Sequence, residues 1–455
     1  MRWLAPLRSL NLTRDLKTRM PPAVGGILSA LEREGHEAVL VGGALRDLLL
    51  GRLVKDWDVA TSATPAETAS LFPRHHRLGN RHELILVIAD GLPVEVSPFR
   101  TEPPDLLGDL AHRDFTVDAM AWSAARGLVD TQGGRLDLFL GRIRACGEPS
   151  ARLSEDPVRG LRAVRLATEL GFHMEPATWE AICAAAPDLA GVAVERIRTE
   201  LERVLLSPRP AWGLELMRRA GQLALFVPEL LEGVGCHQNQ YHRYDVWSHS
   251  LLACQNVPPN LVLRLAGLLH DVAKPRCVSA DERGRHFYNH EVLGAEMAAT
   301  LLRRLRFDRE TVERVSHLVR YHMDLHFDPH QTDRSIRRLV RRIGPQHLED
   351  LIWLRRADRL ASGTKRGDLD PGTIALLDRI RRVAAEDREV YIRDLALGGQ
   401  ELLVLLGREP GPWLGRLLQD LRDEVAEGAL VNDQEALAAR AVELAEQKAA
   451  EPIER

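Results

Sequence analysis

Strand-like runs in this 455-residue chain are confined to its first hundred residues, and from about residue 150 onward every periodic segment is helical. His36–Val41 (HEAVLV) reads as a short buried strand closed by Gly42-Gly43 and followed by a helix-like ALRDLLLG. Asp56–Ala60 is a second strand, and Leu84–Ala89 and Val94–Val96 supply two more across a Gly-Leu-Pro turn. Downstream, residues 155–171, 195–206, 245–270 and 288–306 space Leu, Ala and Val at helical intervals, and the last twenty-five residues read as one more helix. The division predicts a small mixed α+β unit followed by all-α units. A chain of 455 residues exceeds one compact core, so two to four domains are expected, with punctuation near Gly147-Glu148-Pro149, Pro208–Pro210 and Gly363–Gly372.

Composition narrows the setting. Hydrophobic residues at 45% and charged residues at 28% describe a globular protein with enough apolar material for real cores. No apolar run of about 18 residues occurs, which argues against a membrane span. The first twenty residues lack a continuous apolar stretch with a cleavage site and read as an extension, not a secretory signal. Cys146, Cys183, Cys236, Cys254 and Cys277 are scattered without a CxxC pair, which disfavours a disulfide framework or zinc knuckle and suits a reducing cytoplasm. The net charge of −4 does not announce a nucleic-acid binder. Arg334, Arg337, Arg338, Arg341 and Arg342 nevertheless fall within nine residues, as a solvated helix face or as an RNA-backbone contact.

The most chemical stretch runs from Gly42-Gly43 through Arg46 to Lys55-Asp56-Trp57-Asp58. Aspartates at i and i+2 on a strand project from one face, so Asp56 and Asp58 can hold the same divalent ions, and hard oxygen ligands suit Mg²⁺. Glu95, between inward-looking Val94 and Val96, has the alternation of a third carboxylate on a neighbouring strand. Such a set can serve a two-metal displacement at phosphorus. Gly42-Gly43 at a strand-to-helix turn lets backbone N–H groups approach a triphosphate, and Arg46 adds a charged donor.

GGALRDLLLG…DWDVATSATP resembles the first motif of the class II tRNA nucleotidyltransferase and bacterial poly(A) polymerase family. His112-Arg113-Asp114-Phe115-Thr116-Val117-Asp118-Ala119-Met120 resembles its ribose motif, Asp130–Arg144 its hinge motif, and Glu155-Asp156-Pro-Val-Arg159-Gly-Leu-Arg162-Ala-Val-Arg165 its base-selecting helix. The similarity covers residues 36–206. It implies a polymerase-β-like head, with Arg113, Asp114, Asp118, Asp156, Arg159, Arg162 and Arg165 contacting the nucleotide. Asp156 and Arg159 stand three apart on a predicted helix and so share a face. Cytosine and adenine present an amino donor beside a ring-nitrogen acceptor, which an Asp and an Arg can read; uracil and guanine present the reverse.

Two departures bear on the product. His112 and Asp118 stand where the family usually has Arg and Asn, and Asp118 adds negative charge near the triphosphate. The link from Arg100 to Arg113, TEPPDLLGDLAH, has twelve residues where most members carry a longer flexible loop. In this family a missing loop accompanies addition of only two cytidines. The expectation is CC addition from CTP, with the final A left to a separate enzyme; full CCA addition with ATP and poly(A) synthesis are the alternatives.

His249, His270-Asp271, His290, His317 or His322, and Asp358 form a second set, with Lys274 completing an HDxxK pattern. Imidazoles and carboxylates in this order can bind a divalent transition metal. The order resembles the HD phosphohydrolase superfamily over residues 245–360, which implies phosphatase or 2′,3′-cyclic phosphodiesterase activity on damaged tRNA ends. His75, His76, His82 and His237 belong to no motif.

The resulting division is a nucleotidyltransferase head (20–146), an all-α neck that binds the tRNA acceptor stem (147–235), an HD-type helical domain (236–365) and a helical C-terminal region (366–455). A phosphohydrolase with an RNA-holding front domain and a non-catalytic RNA scaffold are the competing classes; paired metal carboxylates favour the first reading over both. The neck is expected to grip RNA through phosphates and shape.

Overall fold

The computed structural model describes residues 12–79, 83–281, 284–325, 332–364, 371–392, 395–426 and 429–450. The first eleven residues of the extension, residues 365–370 of the Gly363–Gly372 boundary, and His82 lie outside them. The chain forms two compact units: Met1–Gly235 with Pro259–Arg264 and Thr300–Asp308, and Cys236–Pro258 with Leu265–Ala299 and Arg309–Arg455.

The first unit begins with helices α1 (Leu12–Arg19) and α2 (Pro22–Arg33) and a seven-stranded mixed sheet. Its strands are β1 (Ala38–Val41), β2 (Trp57–Thr61), β3 (His75–Leu78), β4 (Leu84–Ala89), β5 (Leu92–Pro98), β6 (Ala121–Ser123) and β7 (Gly127–Val129), in the order β3-β4-β5-β2-β1-β6-β7. Only β2 and β5 run parallel, and their register sets Asp58 opposite Glu95. All four residues of β1 are buried, which explains why it reads as a continuous apolar run. Helices α3 (Gly42–Leu49), α4 (Pro65–Leu71), α5 (Leu106–Ala111) and α6 (Gly134–Leu140) lie between strands or follow them. Leu106 and Leu110 of α5 join Val39, Val41, Ala60, Phe99 and Ala121 in one core cluster, so the short link is a packed helix.

The helical neck follows as α7 (Pro149–Glu155), α8 (Val158–Leu170), α9 (Pro176–Ala185), α10 (Val194–Leu205), α11 (Pro210–Arg219), α12 (Leu223–Phe226) and α13 (Pro228–Leu231). Leu161, Val164 and Leu201 bury the facing sides of α8 and α10. A two-residue parallel pair, β8 (Arg142–Ile143) with β9 (His173–Met174), ties the end of the head to the neck.

The second unit contains α14 (Val246–Asn256), most of α15 (Leu261–Leu269), the hairpin β10 (Val278–Asp281) and β11 (Gly284–Phe287), and most of α16 (His290–Arg304). Helices α17 (Arg309–Tyr321), α18 (Asp333–Ile343), α19 (Leu348–Ala361), α20 (Pro371–Ile392), α21 (Gly399–Leu406), α22 (Pro412–Ala426) and α23 (Gln434–Ala450) complete it. The last three pack around Leu402, Leu417, Leu421 and Leu437. Among the described residues no helix is long and apolar enough to cross a membrane.

Several expectations need correction. Strands do not vanish after residue 150, because β9 and the β10–β11 hairpin form there. The 245–270 segment is two helices, since Pro258-Pro259 breaks it. The β4–β5 turn is Asp90-Gly91, both in left-handed backbone, one step before the Gly-Leu-Pro expected. The arginine run lies on α18, whose Ile336, Leu339, Val340 and Ile343 are buried. Arg341 pairs with Asp423 at 2.9 Å and Arg342 with Asp324 at 2.6 Å.

Candidate active site

Where β1 ends, Asp58 and Glu95 line one cavity, and the charge of Asp56 acts on both. Gly42 opens α3 with φ +67°, and a Cβ there would stand 3.0 Å from Asp58 Oδ2 and 3.4 Å from Arg113 Nη1. Only glycine serves both the turn and the close approach. Asp56 lies just before β2, Asp58 on it, and Glu95 beside Asp58 on β5. Burial, reinforced by Glu95 against the opposing Arg113, pushes the Asp58 carboxyl up to about 7. Burial and then Asp56 raise Glu95. Carboxylates whose charge is disfavoured by burial and by each other are oxygen donors that a divalent cation suits, since it replaces the repulsion with attraction.

Arg100 and Arg113 line the same cavity, of about 280 Å³, with Asp58, Glu95 and Asp118. Arg46 is buried and committed within the protein, with Nη1 2.7 Å from Asp118 Oδ1 and Nε 3.0 Å from Asp47 Oδ1. The pairing offsets the charge that Asp118 adds to the ribose motif. Sequence reasoning missed Asp109. This 1% exposed residue of α5 accepts from Arg113 Nε and Nη2 at 3.1 and 2.9 Å and from the Arg100 backbone N–H at 3.3 Å. Its signal was available, because Asp109 and Arg113 are four apart across the end of a short helix.

A second cavity of about 1040 Å³ is lined by Asp114, Asp156, Arg159, Arg162 and Arg196. The structure changes the geometry expected for Asp156 and Arg159. Asp156 is extended (φ −154°, ψ 99°), following α7 and preceding α8, because Pro157 excludes helical backbone from the residue before it. Asp156 and Arg159 therefore share a cavity but not a helix face. Asp156 accepts from Arg196 at 2.7 Å; Arg159 donates to Asp114 at 2.7 Å and Glu155 at 2.5 Å. Arg162 also donates to Asp114, at 2.6 Å, and the two guanidiniums outweigh burial to hold that carboxyl below its usual range. Arg165 is turned to Glu200 at 2.7 Å and Glu169 at 3.4 Å. In the hinge block, fully buried Asp137 gathers Thr116 at 2.6 Å, Arg142 at 2.6 Å and Arg144 at 2.9 Å.

The second unit brings its predicted ligands together as well. His249 on α14, His270-Asp271 after α15, His290 opening α16, His322 after α17 and Asp358 on α19 converge beside a cavity of about 350 Å³. His249 Nε2 lies 3.1 Å from His270 Nε2, 3.3 Å from Asp271 Oδ2 and 3.1 Å from Asp358 Oδ1. His290 and His322 meet through their Nε2 atoms at 3.3 Å. Between the two alternatives, His317 is excluded: its Nε2 donates to Ile343 O at 2.5 Å and its ring packs on His347. Lys274 Nζ donates to Asp271 Oδ2 at 2.6 Å and Gln238 Oε1 at 2.7 Å. Burial pushes the His322 imidazole down to about 3, keeping it neutral. His242, missed in the sequence, joins His249 and Asp358 within ligand distance; burial, Lys274 and His249 lower it to about 4.

Comparisons with known proteins agree with this geometry. Residues 38–144 match the poly A polymerase head domain, residues 171–233 the "Probable RNA and SrmB- binding site of polymerase A", and residues 290–441 the tRNA nucleotidyltransferase domain 2 family. The A-adding tRNA nucleotidyltransferase of Deinococcus radiodurans is 37% identical over 88% of this chain and 94% of its own. The CC-adding tRNA nucleotidyltransferase of Thermus thermophilus is likewise 37% identical, over 88% of this chain and 92% of its own. The Bacillus stearothermophilus CCA-adding enzyme in complex with CTP superposes with a TM-score of 0.69 at 26% identity, covering 94% of this chain and 99% of that one. With near full-length relatives at this identity and a polymerase-β-like head followed by helices, the chain belongs to the tRNA nucleotidyltransferase and poly(A) polymerase family.

Proposed function

We propose that this chain adds two cytidines to the 3′ end of tRNA, using Asp56, Asp58 and Glu95 as the metal-binding carboxylates of nucleotidyl transfer. The observation that carries the reading is the parallel register of Asp58 and Glu95 on adjacent strands, with Asp56 two residues away and Gly42 and Arg113 against them. Magnesium held there supplies a lowered pKa for the attacking hydroxyl and charge neutralisation for the triphosphate. The RNA 3′-oxygen bonds to the α-phosphorus as the bond to the β-phosphate oxygen breaks, releasing pyrophosphate. Gly42 and Gly43 leave room for the triphosphate, Arg100 and Arg113 face its charge, and Asp114 and Asp118 border the sugar. Asp156 accepts from the base amino group and Arg159 donates to the ring nitrogen, with Arg162 and Arg165 supporting them. Because both readers already have partners, cytidine enters by exchanging with Arg196 and Asp114.

The four-part division into head, neck, HD-type domain and C-terminal region is the organisation this function uses, with the neck on the acceptor stem. The CC product rests on the link that α5 occupies: it is short, helical and packed into the core, so it leaves no long loop to reshape the site for ATP. A separate A-adding enzyme then completes the end. The purified chain given tRNA lacking its 3′ terminus, with CTP and ATP, is expected to stop after CC; sequenced products ending in CCA would refute this. Asp56→Asn combined with Asp58→Asn is expected to abolish extension, and retained activity would remove the basis of the reading.

The cluster around Asp271 favours a second activity, metal-dependent hydrolysis of phosphate esters at damaged tRNA ends. Lys274, Arg285 and Arg355 line its cavity and suit an anionic substrate. Release of phosphate or opening of a 2′,3′-cyclic end is expected from the wild type and not from Asp271→Ala; equal rates from both would end the idea.

A further inference from the structure

We propose that the open face of β4 and β3 is the track along which the single-stranded 3′ end of the tRNA reaches the carboxylates. The terminal nucleoside lies over Leu84 and Leu86, and the phosphate preceding it is held by His76 and Arg74. The inference rests on nucleotidyl transfer at Asp58 and Glu95 and adds the subsite for the attacking RNA.

Strand register carries the argument. Asp58 of β2 stands opposite Glu95 of β5, Glu95 opposite Leu86 of β4, and Leu86 opposite His76 of β3. Residues directly opposite in a ladder point to the same side of the sheet, so these four form one row across four strands. Leu84 and Leu78 pair in the same way two residues on. On the other flank Ile88 N–H donates to Arg74 O at 2.9 Å, which continues the ladder and sets Arg74 at the edge beside His76. The alternate residues Ile85, Val87, Val94 and Val96 are buried in the core. Glu95 and His76 are exposed, Leu84 and Leu86 half-buried, and Leu78 is 41% exposed. The face that carries the carboxylates thus continues past them as an apolar strip ending in a basic edge. Leu84 and Ser97 line both cavities of the head, so the strip opens into the site.

Reaction geometry gives the strip its use. In-line displacement places the attacking hydroxyl and the leaving pyrophosphate on opposite sides of the phosphorus. Strand β1, which runs into Gly42 and Gly43, flanks β2 on the side away from β5. A triphosphate seated on those glycines therefore puts the RNA on the side of β5, β4 and β3. Neighbouring strands lie about 4.8 Å apart, which sets the His76 backbone roughly 10 Å from that of Glu95, a reach suited to the last sugar and its phosphate. Leu84 and Leu86 offer that nucleoside apolar contact. Among the described residues neither Arg74 nor His76 is held by an ion pair or a side-chain hydrogen bond, whereas Arg77, opposite buried Ile85 on the other face, pairs with Glu83 at 3.0 Å. A phosphodiester has the charge and the acceptors that such donors suit.

The test uses the full chain and tRNA lacking its CCA end in two forms, one with the native backbone and one with a neutral methylphosphonate as the last internucleotide linkage. Arg74→Gln combined with His76→Gln is expected to raise KM for the native RNA about 10-fold with KM for CTP unchanged. Equilibrium binding of that RNA without CTP is expected to weaken by the same factor. The methylphosphonate is expected to impose the same loss on the parent chain and no further loss on the variant. Arg77→Gln, which removes a charge from the other face of the same strand, is expected to leave both values unchanged. Unaltered RNA binding in the double variant, an equal loss in Arg77→Gln, or additive losses from variant and methylphosphonate would each overturn the proposal. Failure of the transfer reading shows separately, as RNA extension by the chain carrying Asp56→Asn and Asp58→Asn, and takes this proposal with it. With that extension abolished, unaltered RNA binding at Arg74 and His76 sinks the RNA track alone.

Discussion

Asp58 is the residue at which folding and function oppose each other most directly. Its carboxyl titrates near 7 against an ordinary 3.8, because burial and Glu95 disfavour its charge. A raised carboxyl pKa contributes stability that is complete below about pH 4 and lost as pH rises toward 7. Asp58→Asn is therefore expected to raise the melting temperature in EDTA by about 3 °C or more near pH 8 while changing it little near pH 4. An unchanged melting temperature near pH 8 would contradict the burial argument. Asp109 holds Arg113, which the proposed function sets against the triphosphate. Asp109→Asn keeps the shape and weakens the clamp, so KM for CTP is expected to rise about 10-fold with kcat changed far less. A loss confined to kcat would assign Asp109 elsewhere.

At the level of elements, the close approach of α6 to the segment after Phe115 makes Gly134 irreplaceable. A Cβ there would lie 2.2 Å from the Thr116 carbonyl oxygen and 2.9 Å from Met120. Backbone cannot yield as a flexible side chain can, so Gly134→Ala is expected to cost about 1–3 kcal/mol in denaturant unfolding of the first unit. How legible an element was in the sequence depended on how local its cause is. The β1–α3–β2 framework could be read because apolar runs, paired glycines and aspartates at i and i+2 are short-range signals. The break at Pro157 was equally local, yet helical spacing on both sides concealed it. Neighbours far apart in sequence, such as Asp156 with Arg196, carry no periodic trace. The β10–β11 hairpin also escaped notice: β10 is exposed throughout, so no alternation of apolar and polar residues marks it.

For the molecule as a whole, a net charge of −4 must coexist with an RNA substrate, and local arrangement settles the conflict. Binding of tRNA through phosphates is expected to weaken steeply between about 50 and 200 mM salt and to change little when stem base pairs are exchanged. Strong dependence on stem sequence would refute the neck assignment. The two proposed activities fall in different units, so variants of Asp271 are expected to leave cytidine addition intact, a comparison made on one preparation with both assays. Within the first unit, Asp114 of the head holds Arg159 and Arg162 of α8 together. On the proposed reading, a cytosine whose ring nitrogen captures Arg159 would remove one of these two ties, whereas uracil or guanine, with an N–H at that ring position, would leave both in place. On the proposed base-reading role, selection would turn on whether this resting network opens, before any phosphorus is attacked, so that an ill-matched nucleotide would depart without having been incorporated.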